Sequence, residues 1–308
     1  MTTNYYRHPI CLEHDPGPRH PESPERLRAV EKALAEVHVP DLKWLEAPKA
    51  KIGQIARVHP ESHVQKVLES VPKTGYLHLD PDTVMSPATG EAALHAAGAL
   101  VAAVDAVAAG TAQNAFCAVR PCGHHAEATR PMGFCIFNNV AIGALHAHIE
   151  HRYKNIAVVD FDVHHGNGTQ ESFRQNANLF FASSHQYPFY PGTGMRSDIG
   201  VGNIINEPLS EGAGSNEFRA SWKDRILPAL MDFNPDFLLI SAGFDAHESD
   251  PLAGLNLTDN DFQWVTKELL KIAKHCCDGR VVSVMEGGYN LEVLGQCVVS
   301  HVRELTTA

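Results

Sequence analysis

Residues 156–168 read Ile-Ala-Val-Val-Asp-Phe-Asp-Val-His-His-Gly-Asn-Gly, an apolar run that passes at once into acids, imidazoles and glycines. A short, continuous, β-branched run such as Ile156–Val159 suits a strand covered on both faces of a parallel sheet. The arrangement recurs. Ala115–Val119 leads into Arg-Pro-Cys-Gly-His-His, Phe237–Ile240 into Ser-Ala-Gly-Phe-Asp, and Val281–Met285 into Glu-Gly-Gly-Tyr, while Leu179–Ala182 is a further run of the same kind. Between them Ala92–Ala109, Val140–His151, Glu217–Asp232 and Asp259–Cys276 carry helical periodicity, and Asn234-Pro235 and Asp278-Gly279 close the last two. Strand–helix alternation predicts a three-layer α/β/α architecture. Ligands of open parallel sheets bind outside the carboxyl ends of the strands. Four polar loops therefore converge on one rim.

Composition limits the function classes. The 308 residues are 44% hydrophobic and 20% charged, with a net charge of −11. That balance suits a globular chain with a sizeable core and argues against direct nucleic-acid binding, which wants a basic face. An acidic surface attracts cationic ligands. No repeat, low-complexity segment or linker interrupts the chain, so residues 1–308 are expected to form one domain. Met1 to Ile10 is polar and unlike a signal peptide, and the Ala-rich stretch Ala92 to Ala109 contains His95 and Asp105, so it reads as a packed helix. A cytoplasmic protein without membrane attachment is expected. The seven cysteines include no CxxC pair, which predicts reduced thiols rather than a disulfide framework or a zinc knuckle.

Asp162 and His164 stand one residue apart after an apolar run. Extended backbone turns alternate side chains the same way, so both reach one cation, with Asp160 in the same register and Phe161 and Val163 on the packed side. Asp245, after Phe237–Ile240 and Ala242-Gly243, is the third ligand expected. Three ligands leave positions open for water and substrate, as catalytic zinc requires. Two aspartates and one histidine also suit iron(II) or cobalt(II).

The adjacent His124 and His125 are candidates for proton transfer. An imidazole in that role needs a partner on its second nitrogen. Pairing Asp160 with His124 and Asn167 with His125 would split the roles. A carboxylate raises the imidazole pKa and an amide does so much less, leaving His124 cationic and His125 free to shuttle a proton. Tyr289, after two glycines, is placed to donate a hydrogen bond to a developing alkoxide.

These motifs resemble those of the histone deacetylases and their bacterial relatives. The matching segments are Arg120-Pro121-Cys122-Gly123-His124-His125-Ala126-Glu127, Gly133-Phe134-Cys135-Ile136-Phe137-Asn138-Asn139, residues 160–170, residues 241–247 and Glu286-Gly287-Gly288-Tyr289, with His20–Arg26 as the N-terminal motif. The likeness spans about residues 14–292. Asn167 and the segment Asp250–Leu257 resemble the class II branch. Membership implies an arginase-like fold with an eight-stranded parallel sheet, zinc on Asp162, His164 and Asp245, and an acyl tunnel walled by Phe134 and Tyr190 and kept slim by Gly133 and Gly288. It also implies potassium near the zinc, at Asp160, Asp162, His164, Ser183 and the backbone of Ser184. Two departures stand out. Cys122 occupies a position where the family usually has proline, which makes it either an inert buried thiol or an oxidation-sensitive one. Tyr190 replaces a common phenylalanine and adds a hydroxyl to the tunnel wall.

The chemistry implied is metal-assisted hydrolysis of a linear amide, acetyl-lysine or a similar acylated amine, releasing acetate. An acetylpolyamine amidohydrolase would share the centre and differ at the entrance. A non-catalytic binding protein would be expected to have lost a ligand, a histidine or the tyrosine. An arginase-like hydrolase would want two metals and more aspartates. Related proteins complete or block the rim with neighbouring subunits, so a homo-oligomer is among the expectations.

Overall fold

The computed structural model describes residues 2–307. Ten strands run in chain order: β1 (Thr3–Arg7), β2 (Leu42–Glu46), β3 (Leu77–His78), β4 (Val84–Met85), β5 (Asn114–Cys117), β6 (Ile156–Asp160), β7 (Leu179–Gln186), β8 (Ile204–Leu209), β9 (Phe237–Ala242) and β10 (Val281–Met285). Eight form one sheet in the order β2-β1-β5-β10-β9-β6-β7-β8, while β3 and β4 make a small separate hairpin. Every neighbouring pair in the large sheet is parallel. Helices Thr89–Ala108 and Asn139–Ile149 pack on one another, and Glu25–Glu36, Leu291–Thr306 and Asp259–Cys276 form a second packed group. This is an α/β fold.

The central strands are apolar throughout because both faces are covered. Every residue of β5, β6, β9 and β10 is buried. Helix Thr89–Ala108 is long and apolar enough to cross a membrane, yet it lies against β5, β1 and β10. Its small alanines let it approach the sheet closely.

Three differences from the sequence expectations have physical causes. β7 runs on to Gln186, past Ala182, because its polar end is buried but satisfied. Ser183 Oγ bonds His185 Nδ1 at 2.9 Å, Trp222 Nε1 donates to Ser184 Oγ at 2.9 Å, and Gln186 Oε1 accepts from Gly254 N at 2.8 Å. The helix expected over Glu217–Asp232 is Ser215–Ser221, a π turn at Trp222–Ile226, then Leu227–Phe233. Pro228 in its middle has no N–H to donate. Lastly, the strand that carries the first aspartate stops at Asp160 and the chain bends over 162–164. There, side chain replaces ladder: Asp160 Oδ1 accepts from Asp162 N at 3.0 Å, and Asp162 Oδ1 from His164 N at 2.9 Å. Local bonds of this kind compete with regular pairing.

Candidate active site

The loops after β5, β6, β9 and β10 meet at one end of the sheet, because those strands are neighbours in it. Asp162, His164 and Asp245 are buried together, and one ligand atom from each lies within 4.8 Å of the others. His164 Nδ1 is 3.1 Å from Asp162 Oδ1 and 3.1 Å from Asp245 Oδ2. The remaining carboxylate oxygens are tied to main chain: Gly287 N donates to Asp162 Oδ2 at 2.7 Å, and Val163 N to Asp245 Oδ1 at 2.9 Å. Close approach forces glycine here. A Cβ on Gly287 would sit 1.9 Å from Asp245 Oδ2, and one on Gly243 would sit 2.1 Å from Asp162 Oδ2.

Two buried carboxylates need compensating positive charge. Burial disfavours the imidazolium of His164, but hydrogen bonds and charge from Asp162 and Asp245 outweigh it and push its pKa up to about 10. The cluster therefore attracts a cation, either a proton or a metal ion bound in its place. An oxygen–nitrogen–oxygen donor set converging on one point fits zinc.

His124 Nδ1 lies 2.9 Å from Asp160 Oδ2, and His125 Nδ1 lies 2.9 Å from Asn167 Oδ1. The two environments push the rings apart. Burial works against the charged form of His124, but Asp160 and Asp162 outweigh it and hold its pKa well above the ordinary value. Burial and then the positive charge of His124 and His164 drive His125 well below the ordinary value. The two adjacent rings are thus biased oppositely, His124 toward the charged form and His125 toward the neutral one. Asn167 is itself fixed, its amide donating to Glu127 Oε1 at 2.7 Å.

Phe134 and Tyr190, the two residues expected to wall the tunnel, both lie beside the site. Phe134 packs edge-on against Tyr289 with centroids 5.9 Å apart, and Tyr190 stands perpendicular to His125 at 5.2 Å. The Tyr190 hydroxyl is buried without a hydrogen-bond partner. Phe189, not anticipated from sequence, stacks on His164 at 5.4 Å. The two expected channel glycines divide. A Cβ on Gly133 would lie 2.4 Å from His125 Cδ2 and 3.0 Å from the Tyr190 hydroxyl. One on Gly288 would strike Leu294 and Phe244 in the core, and its φ of +121° already favours glycine. Gly288 therefore shapes the turn before Tyr289, with its Cβ position facing Leu294 and Phe244.

Tyr289 is held at both ends of its residue. Its N–H donates to Asp250 Oδ2 at 2.7 Å, and the Arg26 guanidinium lies over its ring at 4.9 Å. Burial raises its hydroxyl pKa well above the ordinary value, with Cys122, Asp245 and Asp162 adding to the rise. The hydroxyl stays protonated, as a donor must. Of the residues named for potassium, Asp160 and Ser183 are partners across β6 and β7. The hydroxyl of Ser184 accepts from Trp222 Nε1, which leaves its backbone as the group named for the ion.

The histone deacetylase domain model matches residues 20–305. The chain belongs to the histone deacetylase family. It is 39% identical to histone deacetylase 14, chloroplastic, of Arabidopsis thaliana over 93% of this chain and 73% of that protein. It is 34% identical to a histone deacetylase-like amidohydrolase of Pseudomonas aeruginosa over 99% of this chain and 86% of that one. The crystal structure of the HDA15 HD domain superimposes with a TM-score of 0.92 at 33% identity, covering 99% of this chain and 88% of that one. As a family member it is a deacetylase-type hydrolase.

A buried ionic network supports the site of this histone deacetylase relative, and spacing in the sequence does not show it. Arg120 donates to Glu22 Oε2 at 2.7 Å and to the carbonyls of Cys11 and His14 at 2.7 and 2.9 Å. Arg26 donates to Glu22 Oε1 at 3.2 Å, to Gly288 O at 2.6 Å and to Glu286 O. Glu286 in turn accepts from Gly123 N at 2.8 Å, His124 N at 3.3 Å and Ser241 Oγ at 3.1 Å. Burial penalises the Glu22 carboxylate, yet Arg120 outweighs that and keeps it far below its usual range. The network clamps the His124 loop and the Tyr289 turn to each other.

Proposed function

We propose that this chain hydrolyses the amide bond of an acylated amine, acetyl-lysine or a similar linear amide, using one zinc ion held by Asp162, His164 and Asp245. The observation that carries the proposal is the pair of adjacent histidines driven in opposite directions beside that ligand set. When bound there, zinc would polarise the acyl oxygen and acidify a water molecule. His125, neutral and oriented by Asn167, takes the proton of the attacking water. His124, kept charged by Asp160, holds a proton near the departing amine nitrogen and compensates the negative charge that gathers at the reaction centre. Groups whose pKa values are pushed apart in this way divide acid from base work. Tyr289 donates its hydroxyl proton in a hydrogen bond to the acyl oxygen as that oxygen gains charge. Phe134 and Tyr190 confine a slim acyl chain between them and exclude bulk water. A potassium ion beside Asp160 and Ser183, and a cytoplasmic location, belong to the same proposal.

A second reading, an acetylpolyamine amidohydrolase, has one observation in its favour. Asp82 accepts from Gly133 N at 3.1 Å and sits beside Asp80, so carboxylates stand next to the channel wall where a cationic amine would pass. Zinc-reconstituted protein assayed for acetate release from acetyl-lysine peptides and from acetylated putrescine and spermidine separates the two. A metal-replete sample inert on every acylated amine would sink both.

A further inference from the structure

We propose that Cys122 and Cys135 form a disulfide-forming modification site, built into the wall between the catalytic histidines and the acyl channel. Their sulfur atoms lie 3.4 Å apart, and among the described residues no other two cysteine sulfurs are in contact. A disulfide requires about 2.05 Å, so closure needs a shift of little more than 1 Å. Both thiols are buried, with Ala126, in a small cluster packed against Phe134. Both point at one acceptor, Gly133 O, at 3.3 Å from Cys135 Sγ and 4.0 Å from Cys122 Sγ.

A metal reading of the same place is weaker. The Glu286 carboxylate lies near the two sulfurs, but its oxygens already accept from Gly123 N, His124 N and Ser241 Oγ. The acid is committed to holding the histidine loop. Two thiols remain, and their chemistry is with each other.

The oxidant is a small peroxide. Cys122 is 3% exposed and Cys135 not at all, so the first step falls to Cys122. Its sulfur gives up a proton and attacks a peroxide oxygen. An S–O bond forms, the O–O bond breaks, and the leaving hydroxide takes the proton to become water. Cys135 sulfur then attacks the Cys122 sulfur. The S–S bond forms, the S–O bond breaks, and the second hydroxide leaves with the Cys135 proton as water. Two thiols and one hydrogen peroxide give one disulfide and two waters, each sulfur losing one electron.

The bond joins two functional segments. Cys122 leads directly into Gly123-His124-His125, and Cys135 follows Gly133-Phe134. Gly133 already sits so close to His125 that a Cβ on it would lie 2.4 Å from the ring. Drawing the segments together by about 1 Å moves His125 against the channel, a displacement that can cost on the order of 10²-fold in rate. It also removes both sulfur donors from Gly133 O.

This effect on activity rests on the deacetylase proposal, but the bond itself can be read without it. Treat the zinc-loaded full chain with hydrogen peroxide, map its peptides without reduction, and assay before and after dithiothreitol. The expected result is one Cys122–Cys135 linked peptide and a loss of at least about tenfold in kcat/KM, restored by dithiothreitol. In Cys122→Ser and Cys135→Ser, each normalised to its own reduced activity, the reversible loss should vanish. Cys122 and Cys135 recovered unlinked, or Cys122 carried to sulfinic acid with Cys135 untouched, would overturn the site. A linked peptide with unchanged activity, or an equal reversible loss in both variants, would overturn its effect on catalysis.

Discussion

Among the described residues two clusters of aspartate and histidine have ligand atoms close enough to share a metal, and only one is built to do so. Asp162, His164 and Asp245 are buried, with one imidazole facing two carboxylates. Asp105, His146 and His151 lie at the far ends of helices Thr89–Ala108 and Asn139–Ile149, with two imidazoles facing one carboxylate oxygen at 2.8 and 2.7 Å. The decisive difference is Arg57. Its guanidinium donates to His146 Nδ1 at 2.6 Å. A guanidinium only donates, so that nitrogen must offer its lone pair and the proton must sit on Nε2, facing Asp105. The lone pair a metal would need at Nε2 is already covered, and Arg57 also pairs with Glu150. Around His164 no guanidinium or ammonium is paired to the cluster, the nearest charged ring being His124 with Nε2 3.9 Å from Asp162 Oδ1, and main-chain N–H groups hold the outer carboxylate oxygens without neutralising them. Residue type and distance are thus insufficient; the Arg57 guanidinium on the far nitrogen of His146, which has no counterpart at His164, decides.

The largest expected effect breaks the comparison outright. Asp245→Asn should abolish both zinc binding and turnover, while Asp105→Asn should leave one zinc per chain and full activity, measured by elemental analysis and acetate release. Loss of zinc from the Asp105 variant would reverse the assignment of the two clusters. Next in size, Tyr289→Phe should lower kcat by about 10²- to 10³-fold, the worth of one oxyanion donor, with zinc content unchanged.

A smaller effect concerns the histidines beside the buried cluster. Asn167→Asp places a carboxylate on His125, raises its proton affinity, and should move the acid limb of the pH–kcat profile to higher pH. A limb that stays put would separate His125 from the role of base. Smaller again is a global dependence on pH. Burial holds His59 and His185 neutral, down to about 4, and His301 down to about 3. Each folded value lies below the 6.5 of the free ring, so the unfolded chain binds more protons as pH falls from 6.5 towards 4. The stability these three rings contribute therefore declines over that window, against an opposite contribution from Asp160 and Asp250, whose carboxyls burial raises to about 7. His301→Gln, retaining polar contact with Thr266 and Ser283, should flatten the slope of Tm against pH; an unchanged slope would assign the decline to other groups.

How much of this was legible in the sequence follows the same division. Runs such as Ile156–Val159 and Val281–Met285 were readable as strands because burial on both faces leaves a continuous apolar pattern. β8, reading Ile-Ile-Asn-Glu-Pro-Leu, was not, because Glu207 is buried against Arg196 and Arg225 from outside the strand. The ligand set and histidine pairs were accessible as short motifs at strand ends. The Glu22–Arg26–Arg120–Glu286 network was not, since its members meet across separations of up to 260 residues and carry no spacing rule. Cys122 was visible as an unusual residue, but its neighbour Cys135 emerges only when two loops fold onto one another.

The central claim is hydrolysis of an acylated amine at the Asp162–His164–Asp245 centre. Its most direct test is acetate release from an acetyl-lysine peptide by the wild-type chain, first stripped by chelation and then titrated with zinc. Turnover should be absent in the stripped protein and rise with zinc to a plateau at one equivalent per chain. Turnover that survives chelation, or that stays absent at one bound equivalent across acetyl-lysine and acetylpolyamine substrates alike, would contradict it.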